Sequence, residues 1–180
     1  WGDEAWAATL AVKPIIEIIQ LVSRDTSPPL FYLLLHFWMK IFGTSEIAIR
    51  SFSFTIFLGT VFAIFLIGRH LWDKKTGFMA ALFTLLNPFL FQYAFEGRMY
   101  SLLAFTSTLS IYFFVKRARV GFILSTAAAL YTHHFAIFIV IFEGILRITE
   151  NFTLSPKKLF KNLLDFFIIG LLYLPWLYPL

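Results

Sequence analysis

Long apolar runs alternate along the chain with short segments that hold most of its charged residues. Helices that cross a ~30 Å hydrocarbon core need about 20 apolar residues at 1.5 Å rise per residue. Five runs approach that length, at 51–68, 76–95, 99–115, 120–142 and 166–180. The first three lack any charged residue and predict one membrane-spanning helix each. The last run follows a basic amphipathic segment.

The first fifty residues show a different pattern, with shorter apolar stretches broken by prolines. Residues 3–22 predict a helix that is kinked or starts afresh at Lys13-Pro14, because proline is tolerated best in a first helical turn. A second helix is predicted to begin after Pro28-Pro29 and to end near Gly43. Its apolar part, 26–39, is too short for a span and suits an interfacial or re-entrant helix.

Composition excludes a water-soluble domain. Of 180 residues, 59% are hydrophobic and 14% are charged, whereas soluble domains are roughly 45–50% apolar and about 25% charged. Aromatic residues reach 20%, which also excludes a disordered chain. We therefore predict an all-α, polytopic transmembrane helix bundle in one domain, 1–180. Residues 1–50 would form a loop with two interfacial helices, and 51–180 about six transmembrane helices.

The placement of the basic residues predicts the orientation of the bundle. Ten of the 15 Lys and Arg residues fall in three clusters, near 69–75, 116–119 and 147–161. The clusters share one side only if 120–142 forms a hairpin of two short helices that turns at Thr132-His133-His134. The positive-inside rule makes that side the cytoplasm. The alternative is one long helix through 120–142, which would place the lysines of the third cluster outside.

Two acidic positions stand out in the first loop. Asp3 and Glu4 are flanked by Trp1 and Trp6, and a partly desolvated carboxylate at the membrane surface can act as a general base. The alternative is an acidic first turn that complements the helix dipole. Asp25 is either a capping carboxylate for the second helix or another acid in the same cavity.

Further polar residues interrupt the apolar runs. In Glu96-Gly97-Arg98-Met99-Tyr100, the guanidinium suits a phosphate or pyrophosphate, and the alternative is an arginine that snorkels beside a neighbouring glutamate. His133 and His134 are either an interfacial polar turn or hold a residue that contacts an anionic ligand. Glu143 is expected to pair within the bundle or close to Arg147 at i+4.

These segments together resemble the GT-C superfamily of integral-membrane glycosyltransferases, in the branch of protein O-mannosyltransferases, lipid A aminoarabinose transferases and Rgt-type enzymes. Four pieces match in order: Trp1-Gly2-Asp3-Glu4-Ala5, Asp25-Thr26-Ser27-Pro28-Pro29-Leu30-Phe31-Tyr32, the Glu-x-Arg-x-Tyr element at 96–100, and Tyr131-Thr132-His133-His134-Phe135. His134 replaces the tyrosine that is common in the last motif. The family has a transmembrane helix before the first motif and further helices after the last, so we expect this chain to be a piece of a longer protein.

The resemblance implies an inverting transferase that moves a sugar from a polyprenyl-phosphate donor to an acceptor hydroxyl. The acceptor would be a glycan, a lipid or a protein. Asp3 would be the general base, with Glu4 and Asp25 positioning acceptor or donor. Arg98 and Tyr100 would help to bind the lipid phosphate, and His133 would lie at the outer end of the hairpin, where relatives often have a basic residue that faces the phosphate. Glu96 would be a further substrate-binding residue. Metal dependence varies across the superfamily, so a divalent metal stays unassigned.

The same resemblance implies a multi-pass protein of the plasma (inner) membrane, in contact with membrane lipid, whose active site is extracytoplasmic. Two other functions fit a polytopic bundle. A transporter or flippase would carry inverted repeats and interrupted helices in both halves. A non-catalytic scaffold would keep the fold without activity, and the presence of Asp3 is evidence against this function. No segment suggests nucleic-acid binding.

Overall fold

The computed structural model describes residues 2–25, 27–151 and 156–177, with side chains described except at 150–151 and 156–162. Trp1, Thr26 and the end of the predicted last span at 178–180 therefore lie outside the described residues. So do the side chains of the predicted lysine cluster at 157–161. Within these limits the chain forms ten helices and no strand, which confirms the all-α prediction.

Three short helices lie before residue 46. They are α1 (Gly2–Ala11), α2 (Ile15–Val22) and α3 (Leu30–Phe42). The helix predicted over 3–22 is thus two helices that separate at the expected proline. Gly43 ends α3 with φ of 87°, a conformation that favours glycine, as the sequence predicted.

Side-chain bonds to backbone carbonyls attach these helices to the bundle. His36 Nδ1 lies 2.7 Å from the carbonyl oxygen of Ala11, which joins α3 to α1. The indole N–H of Trp38 donates to the carbonyl of Ala48 at 2.8 Å, which joins α3 to the next helix. The α1–α3 unit is therefore fixed to the bundle.

The first predicted span is α4 (Glu46–Leu71), which extends beyond 51–68 at both ends. Ser45 caps it by accepting a hydrogen bond from the Ala48 N–H, and the basic residues of its last turn suit the negative end of the helix dipole. By length and composition it is, among the described residues, the single continuous helix fit to cross a membrane. The number of spans otherwise stays a prediction.

The run 76–95 was predicted as one membrane-spanning helix, but the structure breaks it into two helices. It consists of α5 (Lys74–Leu85) and α6 (Pro88–Ala94), which are bent by 65° and would make a second crossing only if taken together. Asn87 caps α6 by accepting a hydrogen bond from the Leu90 N–H at 3.0 Å. An Asn cap followed by proline starts a new helix, and this overrides the continuous hydrophobicity.

The predicted hairpin is confirmed, and the single long helix through 120–142 is wrong. After α7 (Tyr100–Val115), the chain forms α8 (Arg119–Thr132) and α9 (Ala136–Asn151). Ser110 contacts Thr126 on α8 and Glu143 on α9, which sets the register of all three helices. One turn further along, Phe114 contacts Phe122 and Arg147. Contact positions rise along α7 and α9 but fall along α8, so α8 runs antiparallel to both.

The last helix, α10 (Pro156–Leu177), runs in the direction of α8. Arg119 at the start of α8 pairs with Asp165 near the middle of α10, and the Tyr131 hydroxyl near the end of α8 donates at 2.8 Å to the carbonyl of Leu172, further along α10. These contacts confirm that the chain returns across the bundle after α9.

The helix directions give the bundle two different ends. The end formed by the α4–α5 and α7–α8 connections, here called the basic end, holds the first two predicted clusters, Arg69, Lys74, Lys75, Lys116, Arg117 and Arg119. The opposite end, here called the loop end, holds α1–α3, the α6–α7 connection and the turn at 133–135. Those two clusters therefore share one end, as predicted.

Glycines bring α4 and α5 into close contact near the basic end. A Cβ on Gly68 would lie 2.7 Å from Gly77 Cα, and one on Gly77 would lie 2.6 Å from the Phe65 carbonyl oxygen. No side chain fits at such separations, and small residues are the usual means of close helix packing in lipid.

Candidate functional site

The polar residues of the first loop meet the α6–α7 connection at the loop end. Asp3, in the first turn of α1, places its Oδ2 atom 3.1 Å from a terminal nitrogen of Arg98. The Asp3 side chain is 70% exposed and that of Arg98 is 30% exposed. Arg98 thus pairs with an acid 95 positions earlier in the sequence rather than with the neighbouring Glu96 that the snorkelling alternative expected.

Glu4 fixes α1 to the same connection. Its Oε1 atom accepts a hydrogen bond from the Gly97 N–H at 2.7 Å, and its Oε2 atom accepts one from Arg50 at 3.3 Å. Arg50 also pairs with Glu46 at 2.7 Å. We call the contact among Glu4, Gly97 and Arg50 the Glu4 clasp. Because it holds the residues next to Asp3 and Arg98, it fixes the distance between them.

Electrostatics favour the charged form of the Glu4 clasp. Burial raises the pKa of Glu4, but the hydrogen bonds from Gly97 and Arg50 outweigh burial, so the pKa lies below its usual value. Gly97 has no room for a side chain, since a Cβ there would lie 2.6 Å from Ile49 Cγ2. The backbone of α1, the connection and α4 is therefore closely packed at this point.

Asp3 and Arg98 also line a cavity of about 220 Å³ together with Asp25, Ser27 and Tyr32. Asp25 thus lies in the same cavity as Asp3, as one of its two predicted roles required. The other role, capping of α3, is not seen: Pro29 occupies the N-cap position and no side chain caps the helix there. Sequence reasoning left Tyr32 out of the site, although it is part of the quoted Asp-x-x-Pro-Pro-Leu-x-Tyr segment.

Tyr32 is the most buried titratable group of this cavity. Burial raises the pKa of its hydroxyl, and the neighbouring carboxylates Asp25 and Asp3 act in the same direction. A hydrogen bond with Ser27 and the charge of Arg98 partly oppose this change. Tyr32 therefore stays a neutral hydroxyl that can donate a hydrogen bond to an anion or to a sugar.

A second cavity, of about 340 Å³, is also lined by the Asp3–Arg98 pair. It is lined by Asp3, Glu4, Gln92, Glu96 and Arg98. Glu96 is thereby placed in the site, as predicted, and Gln92 is an addition that the sequence pattern did not indicate. The pair can be reached from both cavities, which allows two different molecules to approach it.

Tyr100 and His133 continue the site towards the hairpin. The Arg98 guanidinium carbon lies 4.9 Å from the centroid of the Tyr100 ring, whose own distance to the His133 ring is 6.4 Å. His133 Nδ1 accepts a hydrogen bond from the Phe135 N–H at 3.1 Å, so the neutral ring carries its proton on Nε2.

The charge state of His133 follows from its surroundings. Burial lowers the pKa of His133, and the neighbouring His134 and Arg98 lower it further. His134 contacts the Tyr173 hydroxyl at 3.1 Å, which ties the turn to α10. Both predicted roles of the histidines, polar turn and ligand contact, remain compatible with this geometry.

An apolar cavity of about 410 Å³ begins at Tyr100 and extends into the bundle between α4, α6, α7 and α9. It is lined mainly by aromatic and aliphatic side chains, among them Phe57, Phe89, Tyr93, Leu103 and Ile139. The bend between α5 and α6 contributes Phe89 and Tyr93 to its wall. The signal for this cavity in the sequence is Asn87-Pro88, which begins α6.

Metal ligation was left unassigned by the sequence. Among the residues that the structure describes, no group of three or more His, Asp or Glu side chains is close enough to hold a metal ion. A divalent metal therefore stays unassigned.

Comparison with known proteins supports the resemblance. The model of the dolichyl-phosphate-mannose-protein mannosyltransferase family matches residues 26–177, which is most of the chain. Asp3, Glu4 and Asp25 lie before the matched region, whereas Arg98, Tyr100 and His133 lie within it. Neither the curated proteins nor the solved structures gave a match. The chain thus belongs to the dolichyl-phosphate-mannose-protein mannosyltransferase family, within the GT-C superfamily of glycosyltransferases.

Proposed function

We propose that the protein transfers a sugar from a polyprenyl-phosphate donor to an acceptor hydroxyl at the loop end of the bundle, with inversion at the anomeric carbon. Membership of the family makes it a glycosyltransferase of the mannosyltransferase type. The donor, the stereochemistry and the catalytic base are the further parts of the proposal. The acceptor is a protein in the family at large, and a glycan or lipid hydroxyl would meet the same chemistry.

The observation that carries the proposal is the Asp3–Arg98 contact of 3.1 Å between two polar cavities. Transfer from a lipid phosphate needs a base for the acceptor, a cation for the departing phosphate and separate approaches for two substrates. The contact supplies a carboxylate and a guanidinium side by side, and the two cavities supply the approaches.

The apolar cavity fits the other half of the donor. An isoprenoid tail has to stay in a hydrocarbon environment while its phosphate reaches charged groups at the membrane surface. The cavity that begins at Tyr100 is apolar, and the ring of Tyr100 lies under Arg98. A donor whose phosphate is bound at Arg98 could therefore keep its isoprenoid tail in this cavity.

Arg98 would change partners during the reaction. In the structure it binds Asp3, and a guanidinium forms strong bidentate bonds with phosphate. Donor binding would draw Arg98 onto the phosphate and leave the Asp3 carboxylate available for the acceptor hydroxyl. Asp3 then takes the hydroxyl proton as the oxygen attacks the anomeric carbon, and polyprenyl phosphate leaves as an anion held by Arg98.

Glu4, Asp25, Glu96 and His133 would position the substrates. Glu4 acts through the Glu4 clasp, whereas Asp25 and Glu96 each line one of the two cavities. His133 lies beyond Tyr100 on the side of the apolar cavity, where a neutral N–H can donate to a phosphate oxygen.

The orientation follows from the charges. The basic end would face the cytoplasm under the positive-inside rule, which puts the loop end on the extracytoplasmic face of the plasma (inner) membrane. A transporter is a weaker proposal, because the charged residues of the described part gather at the two ends rather than along a path. Among the charged residues whose side chains the structure describes, Glu143 and Arg147 are the two that lie buried among the helices.

The test is Asp3→Asn in the full-length protein, assayed in membranes with a radiolabelled polyprenyl-phosphate sugar. Loss of a general base lowers the rate of transfer by about 10²–10⁴-fold. Asp73→Asn is the matched control, since Asp73 caps α5 at the basic end and asparagine caps a helix equally well. Transfer by Asp3→Asn within threefold of the control would refute the assignment.

A further inference from the structure

Two polar side chains at the loop end have no partner in the fold. Gln92 lies in the last turn of α6, Glu96 follows in the α6–α7 connection, and both line the second cavity of about 340 Å³. Among the residues whose side chains the structure describes, neither the Gln92 amide nor the Glu96 carboxylate takes part in a hydrogen bond or an ion pair. Gln92 is exposed and Glu96 is half-buried, so a molecule in the cavity can bind both without breaking a contact of the fold.

Helix α6 joins the second cavity to the apolar cavity. Phe89 and Tyr93 on this helix line the apolar cavity, and Gln92, between them in sequence, lines the second cavity. The Tyr93 ring lies 4.9 Å from the ring of Tyr100, and the Arg98 guanidinium carbon lies 4.9 Å from the same Tyr100 ring. A donor whose tail lies in the apolar cavity and whose phosphate is at Arg98 therefore reaches the second cavity along one helix.

The cavity lined by Asp25 and Tyr32, here called the first cavity, has a different origin. Its walls come from α1, from the segment before α3, from the start of α3 and from Arg98-Met99, and none of its described lining residues belongs to α6. Its volume of about 220 Å³ is also the smaller of the two. Since Asp3 and Arg98 line both cavities, a sugar in the second cavity and an acceptor in the first would meet at the same pair.

Carboxylates outnumber cations in the lining of the second cavity. Among its described lining residues, Asp3, Glu4 and Glu96 contribute carboxylates, and Arg98 contributes the one guanidinium. Glu4 is engaged in the Glu4 clasp, and donor binding would engage Arg98 with the phosphate. Glu96 would then lie beside the sugar without a cation from that lining. A further negative charge on the sugar would be repelled, because like charges a few ångströms apart interact strongly where water is partly excluded.

The two side chains suit the hydroxyl groups of a sugar. A carboxylate accepts hydrogen bonds only, and a hydroxyl that donates to it forms a charge-assisted bond. A side-chain amide both donates and accepts, as a hydroxyl does. A site built from such groups rejects an analogue that lacks the hydroxyl, because its own polar groups lose their partner. Glu96 and Gln92 can therefore distinguish one sugar from another.

We propose that the second cavity binds the sugar of the donor, that Gln92 and Glu96 select this sugar through its hydroxyl groups, and that the sugar carries no acid group. The inference rests on the proposed function, since it concerns the donor of the same reaction. It assigns the acceptor to the first cavity, and it makes Gln92 a specificity-determining residue that contacts the donor.

The test compares donors on the full-length protein in membranes. The radiolabelled donors are polyprenyl-phosphate mannose, its four monodeoxy analogues and polyprenyl-phosphate mannuronic acid. The measured quantity is the ratio of kcat/KM for mannose to kcat/KM for another donor on the same variant. This ratio does not depend on how much of a variant folds, because the amount of folded protein enters both values equally.

Wild-type protein should prefer mannose over at least one deoxy analogue and over mannuronic acid. Gln92→Ala should lower the ratio for that deoxy analogue about 2–10-fold, which corresponds to the loss of a hydrogen bond between neutral groups. Gln20→Ala is the matched control, since Gln20 is exposed on α2 and lines neither cavity. It should leave every ratio unchanged.

Glu96→Gln tests the effect of the charge. This change should lower the preference for mannose over mannuronic acid about tenfold or more, because the carboxylate that repels the acid group is gone. Glu17→Gln is the matched control, since Glu17 pairs with Lys13 at the surface of the first loop. It should leave the preference unchanged.

Ratios that stay at wild-type values in both Gln92→Ala and Glu96→Gln would overturn the inference, as would a wild-type preference for mannuronic acid. Ser27→Ala alters the first cavity and should leave every donor ratio unchanged, whereas ratios that move in this variant would place the sugar in the first cavity and overturn the assignment. Wild-type protein that transfers none of these sugars would contradict the proposed function, and the inference with it. Failure of the inference alone is distinguishable, because it leaves the transfer of mannose intact.

Discussion

Gly97→Ala gives the sharpest test of how the site is held together. The added methyl group would lie 2.6 Å from Ile49 Cγ2, whereas ordinary contacts are 3.4–4 Å, so the connection has to move by most of an ångström. Overpacking of this kind costs about 1–3 kcal/mol. The movement also lengthens the 2.7 Å bond from the Gly97 N–H to Glu4, and a hydrogen bond to a charged group contributes about 1.5–3 kcal/mol.

The two costs together are about 2.5–6 kcal/mol for the docking of α1 on the connection. Arg98 follows Gly97 directly, so its distance to Asp3 changes as well. We expect transfer of the labelled sugar to fall by at least tenfold, with a lower midpoint of thermal unfolding in detergent. Gly170→Ala is the matched control, because a Cβ at Gly170 meets nothing within 4 Å.

A double mutant identifies the clash as the cause. Ile49→Ala removes the methyl group that Gly97→Ala would strike, so the two changes together should be at least 1 kcal/mol less harmful than the sum of the single changes. Additive effects, or a Gly97→Ala protein that behaves like Gly170→Ala, would refute the reasoning about the Glu4 clasp.

Three further predictions concern stability and donor binding. Folding lowers the pKa of Glu4, so the stability that its carboxylate contributes is fully present above the pKa of the unfolded chain and is lost as the pH falls through the pKa of the folded protein. Glu4→Gln should therefore flatten the decline of the thermal midpoint below about pH 5. A decline that stays unchanged in this variant would contradict the reasoning. Gly77→Ala should lower stability by about 1–3 kcal/mol through overpacking against α4, measured by thermal unfolding, and an unchanged midpoint would contradict the close contact. Tyr100→Phe keeps the ring under Arg98 and should leave the KM for the donor within twofold of the wild-type value. Tyr100→Leu removes the ring and should raise this KM about 2–5-fold, because an exposed cation–π contact contributes about 0.5–1 kcal/mol. Equal KM values for the two variants would refute a role of this contact in donor binding.

Charge placement predicted the helix directions well. The requirement that the basic clusters share one side led to a hairpin at residues 132–134, and the structure turns at 133–135. Hydrophobicity alone would have favoured one helix through this region. The positions of the basic residues were informative here because they concern the few charges that an apolar chain retains.

The break in the run 76–95 was not predicted, although its signal is local. Asn87-Pro88 lies inside an uncharged stretch, and hydrophobicity carries no information about where backbone hydrogen bonds stop. The apolar cavity depends on this break, so it escaped prediction for the same reason.

The contacts within the site also lay beyond the sequence. The family motifs indicated that Asp3, Glu4 and Arg98 belong to one site. They did not indicate that Glu4 accepts a hydrogen bond from the Gly97 N–H, or that Arg98 pairs with Asp3 rather than with Glu96. Such choices depend on distances between segments more than ninety residues apart. The contacts of Ser110 with Thr126 and Glu143 were missed likewise, because Ser110 and Thr126 are common residues with no pattern of their own.

The Glu4 clasp has a consequence for the order in which the protein is made. Glu4 is synthesised before its partner Gly97, which follows 93 residues later, after α4, α5 and α6. Closing a loop of that length costs roughly 4 kcal/mol in chain entropy alone, so the contact forms only once the intervening helices have packed. The segment from α4 to α6 therefore has to be synthesised and packed before the Asp3 carboxylate and the Arg98 guanidinium can meet, and the arrangement at the loop end is incomplete until then.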